Sequence, residues 1–192
     1  MLDIELSRGI DELRSFDELR SVQACAVLLR KAGGASNYTR ILKLLYLADR
    51  RSLQETGQPI TGAHFVNMPL GPVLSEVYEC IKEDSTGGLW DQYIVTKGRD
   101  IHLIKDPGDG ELSDFDVDVL TDLAEQYAQA SYSTMINVVH KLPEWTDPSP
   151  KKVAPLYMVD VLLALGDDEE TIVAHAITSA HVDGVKKLFH LS

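Results

Sequence analysis

Ten residues of this chain, Arg40 to Asp49 (RILKLLYLAD), leave a helix almost no polar face. Ile41, Leu44, Leu45 and Ala48 fall on one stripe, and Leu42 and Leu47 fill other faces. A helix that is apolar nearly all round has to be surrounded, so the remaining chain must supply a shell for it. Its limits stand beside it. Ser36 or Asn37 is placed to cap the start, Gly57 offers a left-handed stop, and Pro59 follows.

The flanking sequence supplies further helices. LRSVQACAVLLRKAGG carries Val22, Ala26 and Leu29 at helical spacing beside Cys25, and Gly33-Gly34 ends it. PVLSEVYECIKED places Val73, Val77 and Cys80 or Ile81 on one side, with Pro72 in the first helical turn. Ser113 and Asp116 form a capping-box pattern ahead of Phe115, Val119, Leu123 and Tyr127. Ser131 opens a short helix, another runs near Leu156 to Leu165, and a last one starts at the acidic DDEE and carries Ile172, Val173, Ala176, Ile177 and Ala180. LWDQYIVTKGRDIHLIKD alternates about a turn and reads as a small β-hairpin. The expectation is a mainly α fold: one compact helical domain of about seven helices, with a β-hairpin near residues 92–105. Residues 1–166 form the domain, with 1–18 at its periphery, and 167–192 are a helical extension packed on it.

The 192-residue chain has a formal net charge of −12. That balance counts against nucleic acid as the main partner, because phosphate binding needs a concentrated positive surface. It suits solubility and a partner with basic surface. The charge is unevenly placed. From Asp91 to Ala130 ten acidic residues face only Lys97, Arg99 and Lys105, whereas Lys31, Arg40, Lys43, Arg50 and Arg51 outweigh Asp49 and Glu55 between Lys31 and Thr56. The plain reading of the acidic run is a solvated face. The N-terminus has no apolar leader and no run approaches a membrane span. Cys25 and Cys80 match no metal or redox spacing. Together these features point to a cytoplasmic protein with reduced thiols and no membrane contact.

A search for chemistry returns little. There is no nucleophile elbow, phosphate loop or dinucleotide fingerprint. None of His64, His102, His140, His175, His181 and His190 pairs at the spacing that sets two metal ligands on one helix face. Cys25 and Cys80 lie in apolar stripes and read as structural thiols. The reading is therefore no catalytic residue, no metal and no cofactor. Helix, Gly-Gly turn, helix near residues 20–56 also outlines a DNA reader, but ILKLLYLA has little polar surface to show a groove.

The segment KLLYLADRRSLQETGQPITGAHFVNMPLGPVLSEVYE resembles a known family, the SocA-like antitoxins, also called the Panacea domain. Lys43 to Asp49, Gly57 to Gly62, Phe65, Pro69, Gly71, Pro72, Val73 and Tyr78 fill its pattern. HKLPEWTDP, with His140, Pro143 and Trp145, resembles the family's later segment, so the resemblance runs from about residue 20 to 165. It implies a mainly helical, non-enzymatic protein of a bacterial or prophage toxin–antitoxin pair, which neutralises a cognate protein toxin by direct binding. A proteolytic adaptor that delivers the toxin to a ClpXP-type protease is one alternative, and a DNA-binding regulator is another.

The prolines and glycine of NMPLGPV make a stiff, apolar elbow suited to display side chains. Phe65, Met68, Leu70, Gly71, Pro72 and Glu76 are the candidate toxin-binding residues. Lys43, Tyr46, Asp49, Pro59, Thr61, Gly62, His64, Pro69, Tyr78, His140, Pro143 and Trp145 are the candidate supports. Tyr46 and Asp49 share a helix edge, and Asp49 is expected to accept from backbone N–H groups of the PITG loop. The plainer alternative is an elbow that only packs two helices together, with His64 in a hydrogen-bonded structural role.

Overall fold

A computed structural model of the chain describes residues 7–9, 11, 15–82, 88–168, 170–172 and 174. Helix α1 (Glu18–Lys31) begins where the Asp17 carboxylate accepts the Arg20 N–H at 2.9 Å. Strand β1 (Ala35–Asn37) leads into helix α2 (Tyr38–Thr56). Asn37 caps α2 by accepting the Thr39 N–H at 3.0 Å, and Gly57 closes it in the left-handed conformation. Next come β2 (Phe65–Asn67), β3 (Val73–Leu74), α3 (Ser75–Lys82), a 3-10 turn at Trp90–Gln92, β4 (Ile94–Lys97) and β5 (Asp100–Leu103). Helix α4 (Asp114–Gln126) opens on the expected capping box, with Ser113 and Asp116 each accepting the other's backbone N–H. Helix α5 (Tyr132–Val139) is capped by Ser131, and β6 (Ala154–Pro155) and α6 (Met158–Leu165) follow.

Helix α2 is the axis of the fold. Ile41, Leu44, Leu45, Tyr46 and Ala48 have no exposed surface, and α1, α3, α4, α5 and α6 all pack on this helix. The α1 stripe of Val22, Cys25, Ala26 and Leu29 is also fully buried. These are the two helices whose sequence outlined a DNA reader, and most of their residues are buried, which leaves little of either for a groove.

The β content is larger than expected, and the fold class is corrected accordingly. About half of the molecule is helical, and it carries two three-stranded antiparallel sheets. The hairpin β4–β5 is where the alternation placed it, but β1 pairs on its other side with Ser36 opposite Ile101. The second sheet has the order β3-β2-β6. Val73 and Leu74 do not begin a helix; they pair with Val66 and Phe65, and α3 starts at Ser75. Pro72 therefore precedes a strand. The reason is local. Gly71 N donates to Met68 O at 2.8 Å, which folds Met68-Pro69-Leu70-Gly71 into a tight turn with proline at its second position. The chain doubles back, and β-branched Val73 finds a strand partner before a helix can form. Strands of two or three residues are too short for alternation to reveal them.

The described ends also join the core. Asp11 is buried and accepts the Met158 N–H at 3.0 Å. Asp168 accepts the Thr171 N–H at 2.8 Å, as a helix start at DDEE requires, and Ile172 is buried. Val173, Ala176, Ile177, Ala180 and the histidines 175, 181 and 190 lie outside the described residues.

Because Leu45 is enclosed on the central helix, Leu45→Ala should lower unfolding free energy by about 2–5 kcal/mol. The measurement is the denaturant midpoint, and an unresolved change would show that α2 is not the axis.

Candidate functional site

The turn Met68–Gly71 is held from beneath by polar groups that α2 carries into the core. Lys43 is only 1% exposed, and its amine donates to Gly71 O at 2.9 Å and to Pro72 O at 2.8 Å. Burial lowers its pKa from 10.5 to about 7, since desolvation disfavours the charged form. One turn further on, Tyr46 Oη donates to Glu144 Oε1 at 2.8 Å, and Arg50 Nε donates to the same oxygen at 2.6 Å. The Glu144 side chain has no exposed surface, so this carboxylate ties the 140–146 segment to α2. Asp49 does what was expected of it. Its Oδ1 accepts from Ile60 N and Thr61 N at 3.0 and 3.1 Å, and its Oδ2 accepts the Thr61 hydroxyl at 2.5 Å.

Two motif glycines are required by space as well as by conformation. At Gly62 (φ +69°) a Cβ would lie 2.2 Å from Ser15 O, and at Gly71 (φ +98°) 2.4 Å from Val139 Cγ2. The turn is pressed against the end of α5. There His140 stacks on Trp145 at 3.8 Å between ring centres, and Trp145 Nε1 donates to Met68 O at 3.3 Å. The His140 pKa is lowered by desolvation and by the Lys43 charge, while the Pro69 carbonyl and Asp147 pull it the other way. On the opposite flank, Glu76 accepts the His64 N–H at 2.9 Å and contacts His64 Nδ1 at 2.5 Å, which fastens the Gly62–His64 segment to α3.

The sequence candidates thus separate by position. Phe65, Gly71 and Pro72 are buried, with Phe65 edge-on to Tyr46 at 5.6 Å. Met68, Glu76 and Tyr78 are half-buried. Pro59 and Trp145 are half-buried as well, and Pro143 is exposed. Pro69 and Leu70 form the exposed tip, and Leu70 is 53% exposed. Sequence reasoning missed Glu144 and Arg50, which complete the brace. The clue was a glutamate inside the HKLPEWTDP segment, but its partner lies on a helix 94 residues away.

The rest of the surface explains the uneven charge. Lys31 pairs with Glu125, Arg51 with Asp122, Arg30 with Asp106, and Arg20 with the buried Asp116. Much of the acidic run therefore meets the chain's own cations, and Asp116 is not open to a basic partner. Burial pushes the Cys25 thiol far up and the Cys80 thiol to about 11, which disfavours a reactive thiolate at either. Among the described residues no His, Cys, Asp or Glu group is arranged to hold a metal ion, and no helix is long and apolar enough to cross a membrane.

Two outcomes test the brace. Asp49→Ala strands two buried backbone donors and should cost about 2–4 kcal/mol by denaturant unfolding. The lowered Lys43 pKa means that the unfolded chain binds the extra proton between about pH 7 and 10.5. Stability should therefore rise with pH across that window, by at most about 1.4 kcal/mol per unit, and a Lys43→Met variant should lose that slope. A wild-type midpoint that falls from pH 7 to 9 would contradict a buried amine.

The family model described as antitoxin SocA-like, Panacea domain, matches residues 41–146, more than half of the chain. Its span holds α2 from Ile41 onward, the turn, and the His140–Trp145 stack, while α1 and α6 lie outside it and share the same core. No curated protein and no solved structure matches the chain. With the whole brace falling inside the matched span, the chain belongs to the antitoxin SocA-like family.

Proposed function

We propose that the chain neutralises a cognate protein toxin by binding it directly, in the cytoplasm, through the turn Met68–Gly71 and the surface around it. The observation that carries this reading is the contrast inside one motif. Lys43, Phe65, Gly71 and Pro72 are buried in a hydrogen-bonded brace, yet the same brace holds a large apolar side chain, Leu70, 53% exposed at the tip. Of Leu70, Ile104, Tyr132, Val153 and Leu163, the large apolar side chains exposed among the described residues, Leu70 is the one displayed by this braced turn. A braced turn also loses little freedom on binding, which leaves more of the contact energy as affinity. Met68 supplies adaptable apolar surface beneath the tip, and among the candidates it is joined by Pro69.

The test is co-expression rescue with the toxin encoded beside this chain, followed by titration calorimetry. Leu70→Asp should abolish rescue at an unchanged melting temperature. If Leu70 is a hot spot, truncation should cost at least about 2 kcal/mol, or roughly thirtyfold in affinity. Full rescue at normal affinity would remove the tip from the interface.

A further inference from the structure

We propose that the surface around the turn takes an acidic segment of the partner protein: a stretch with an apolar side chain that seats on Leu70 and Val153, flanked by carboxylates that pair with Lys141, Lys151 and Lys152. This rests on the direct-binding reading above and names the chemistry of the other side.

Three segments meet there. Asn67 pairs with Ala154 in the β2–β6 ladder, which sets Val153 beside Met68 where the sheet ends. Val153 is 46% exposed, so the segments that meet at Met68 carry two exposed apolar side chains, Val153 and Leu70. The third segment enters through Trp145 on Met68 O and through His140, whose Cδ2 lies 3.4 Å from where a Gly71 Cβ would be. Lys141 follows His140, and Lys151 and Lys152 lead into Val153.

The charge at this face is opposite to that of the whole chain. Lys141, Lys151 and Lys152 are exposed and have no carboxylate partner among the described residues. Arg20, Arg30, Lys31, Arg50 and Arg51 do have one, whereas the exposed Lys97, Arg99 and Lys105 about the β4–β5 hairpin also do not. Of the carboxylates nearest in sequence, Glu144 is neutralised by a cation and Asp147 keeps its charge. Glu144 is taken by Tyr46 and Arg50, and Asp147 accepts from the Ser149 N–H and hydroxyl at 3.0 and 2.8 Å. Three lysines against the single exposed carboxylate of Asp147, carried by segments that meet exposed leucine and valine, favour an acidic segment over a basic one. A nucleic acid fits less well, because three lysines are few for a phosphate backbone and phosphates gain nothing from an apolar tip.

The experiment titrates the full chain into two fluorescein-labelled peptides and a labelled single-stranded oligonucleotide, read by polarisation at low and physiological salt. The peptides share a leucine core; one is flanked by glutamates and the other by lysines. The glutamate-flanked peptide should bind saturably, more weakly as salt rises, and the lysine-flanked one should not bind. The combined Lys141→Glu, Lys151→Glu, Lys152→Glu variant should weaken that binding by roughly tenfold or more, and Leu70→Asp should remove it, both at an unchanged melting temperature. Equal or tighter binding of the lysine-flanked peptide, no saturable binding of the glutamate-flanked one, or its displacement by the oligonucleotide overturns the proposal. The two peptides on the unaltered chain keep the test valid even if a variant melts early. In the rescue assay, loss with Leu70→Asp but full rescue by the charge-reversed variant would leave direct binding standing and reject the acidic segment. Full rescue by both would reject the face itself.

Discussion

Everything around the turn follows from one demand: polar groups that enter the core on an apolar helix must be satisfied there. Helix α2 buries Lys43, Tyr46 and Asp49 along one edge, and burying such groups unpaired costs several kcal/mol in all. Each is answered by a different part of the chain. The amine draws in the carbonyls of Gly71 and Pro72, the phenol draws in Glu144, and the carboxylate draws in the Ile60–Thr61 backbone. Three segments, at residues 60–61, 71–72 and 144, are thereby assembled on one helix, and the exposed turn is a product of that assembly.

The arrangement also divides labour within the matched family span. Residues that hold the turn are inside, and few of its residues are free to touch anything else. Gly71 has no room for a side chain because Val139 and His140 close over it, so this position serves the geometry and not the contact. What reaches solvent at the turn is a short apolar tip. A surface this small, on a frame this constrained, lets contacts change at the tip while the core stays as it is, because side chains at Leu70 and Val153 pack against little of the frame.

Charge patterning carried two meanings that the chain order alone blended. The acidic run and the preceding basic run were legible as blocks, and the structure brings them together as Lys31–Glu125 and Arg51–Asp122. Lysines 141, 151 and 152 drew no notice in the sequence because they are not contiguous. Folding brings the segments that carry them to the turn, since β6 pairs with β2 and the His140–Trp145 stack lies against it. Local charge after folding, and not the sum over the chain, is what a partner meets.

The sequence by itself determined the central helix, a cap at Ser36 or Asn37, its stop at Gly57, the Ser113–Asp116 box, the β4–β5 hairpin and the bond between Asp49 and the PITG loop. These are set by periodicity and by groups within a dozen residues of each other, which a linear reading can connect. Tertiary structure alone decided the second sheet, the strand character of Val73–Leu74, the Tyr46–Glu144–Arg50 brace and the split of the elbow into a buried frame and an exposed tip. Each of these depends on a partner that sequence distance hides or on a strand too short to show a period. Whether a proline-rich turn faces the core or the solvent is settled only when the helix beneath it has satisfied its own polar groups.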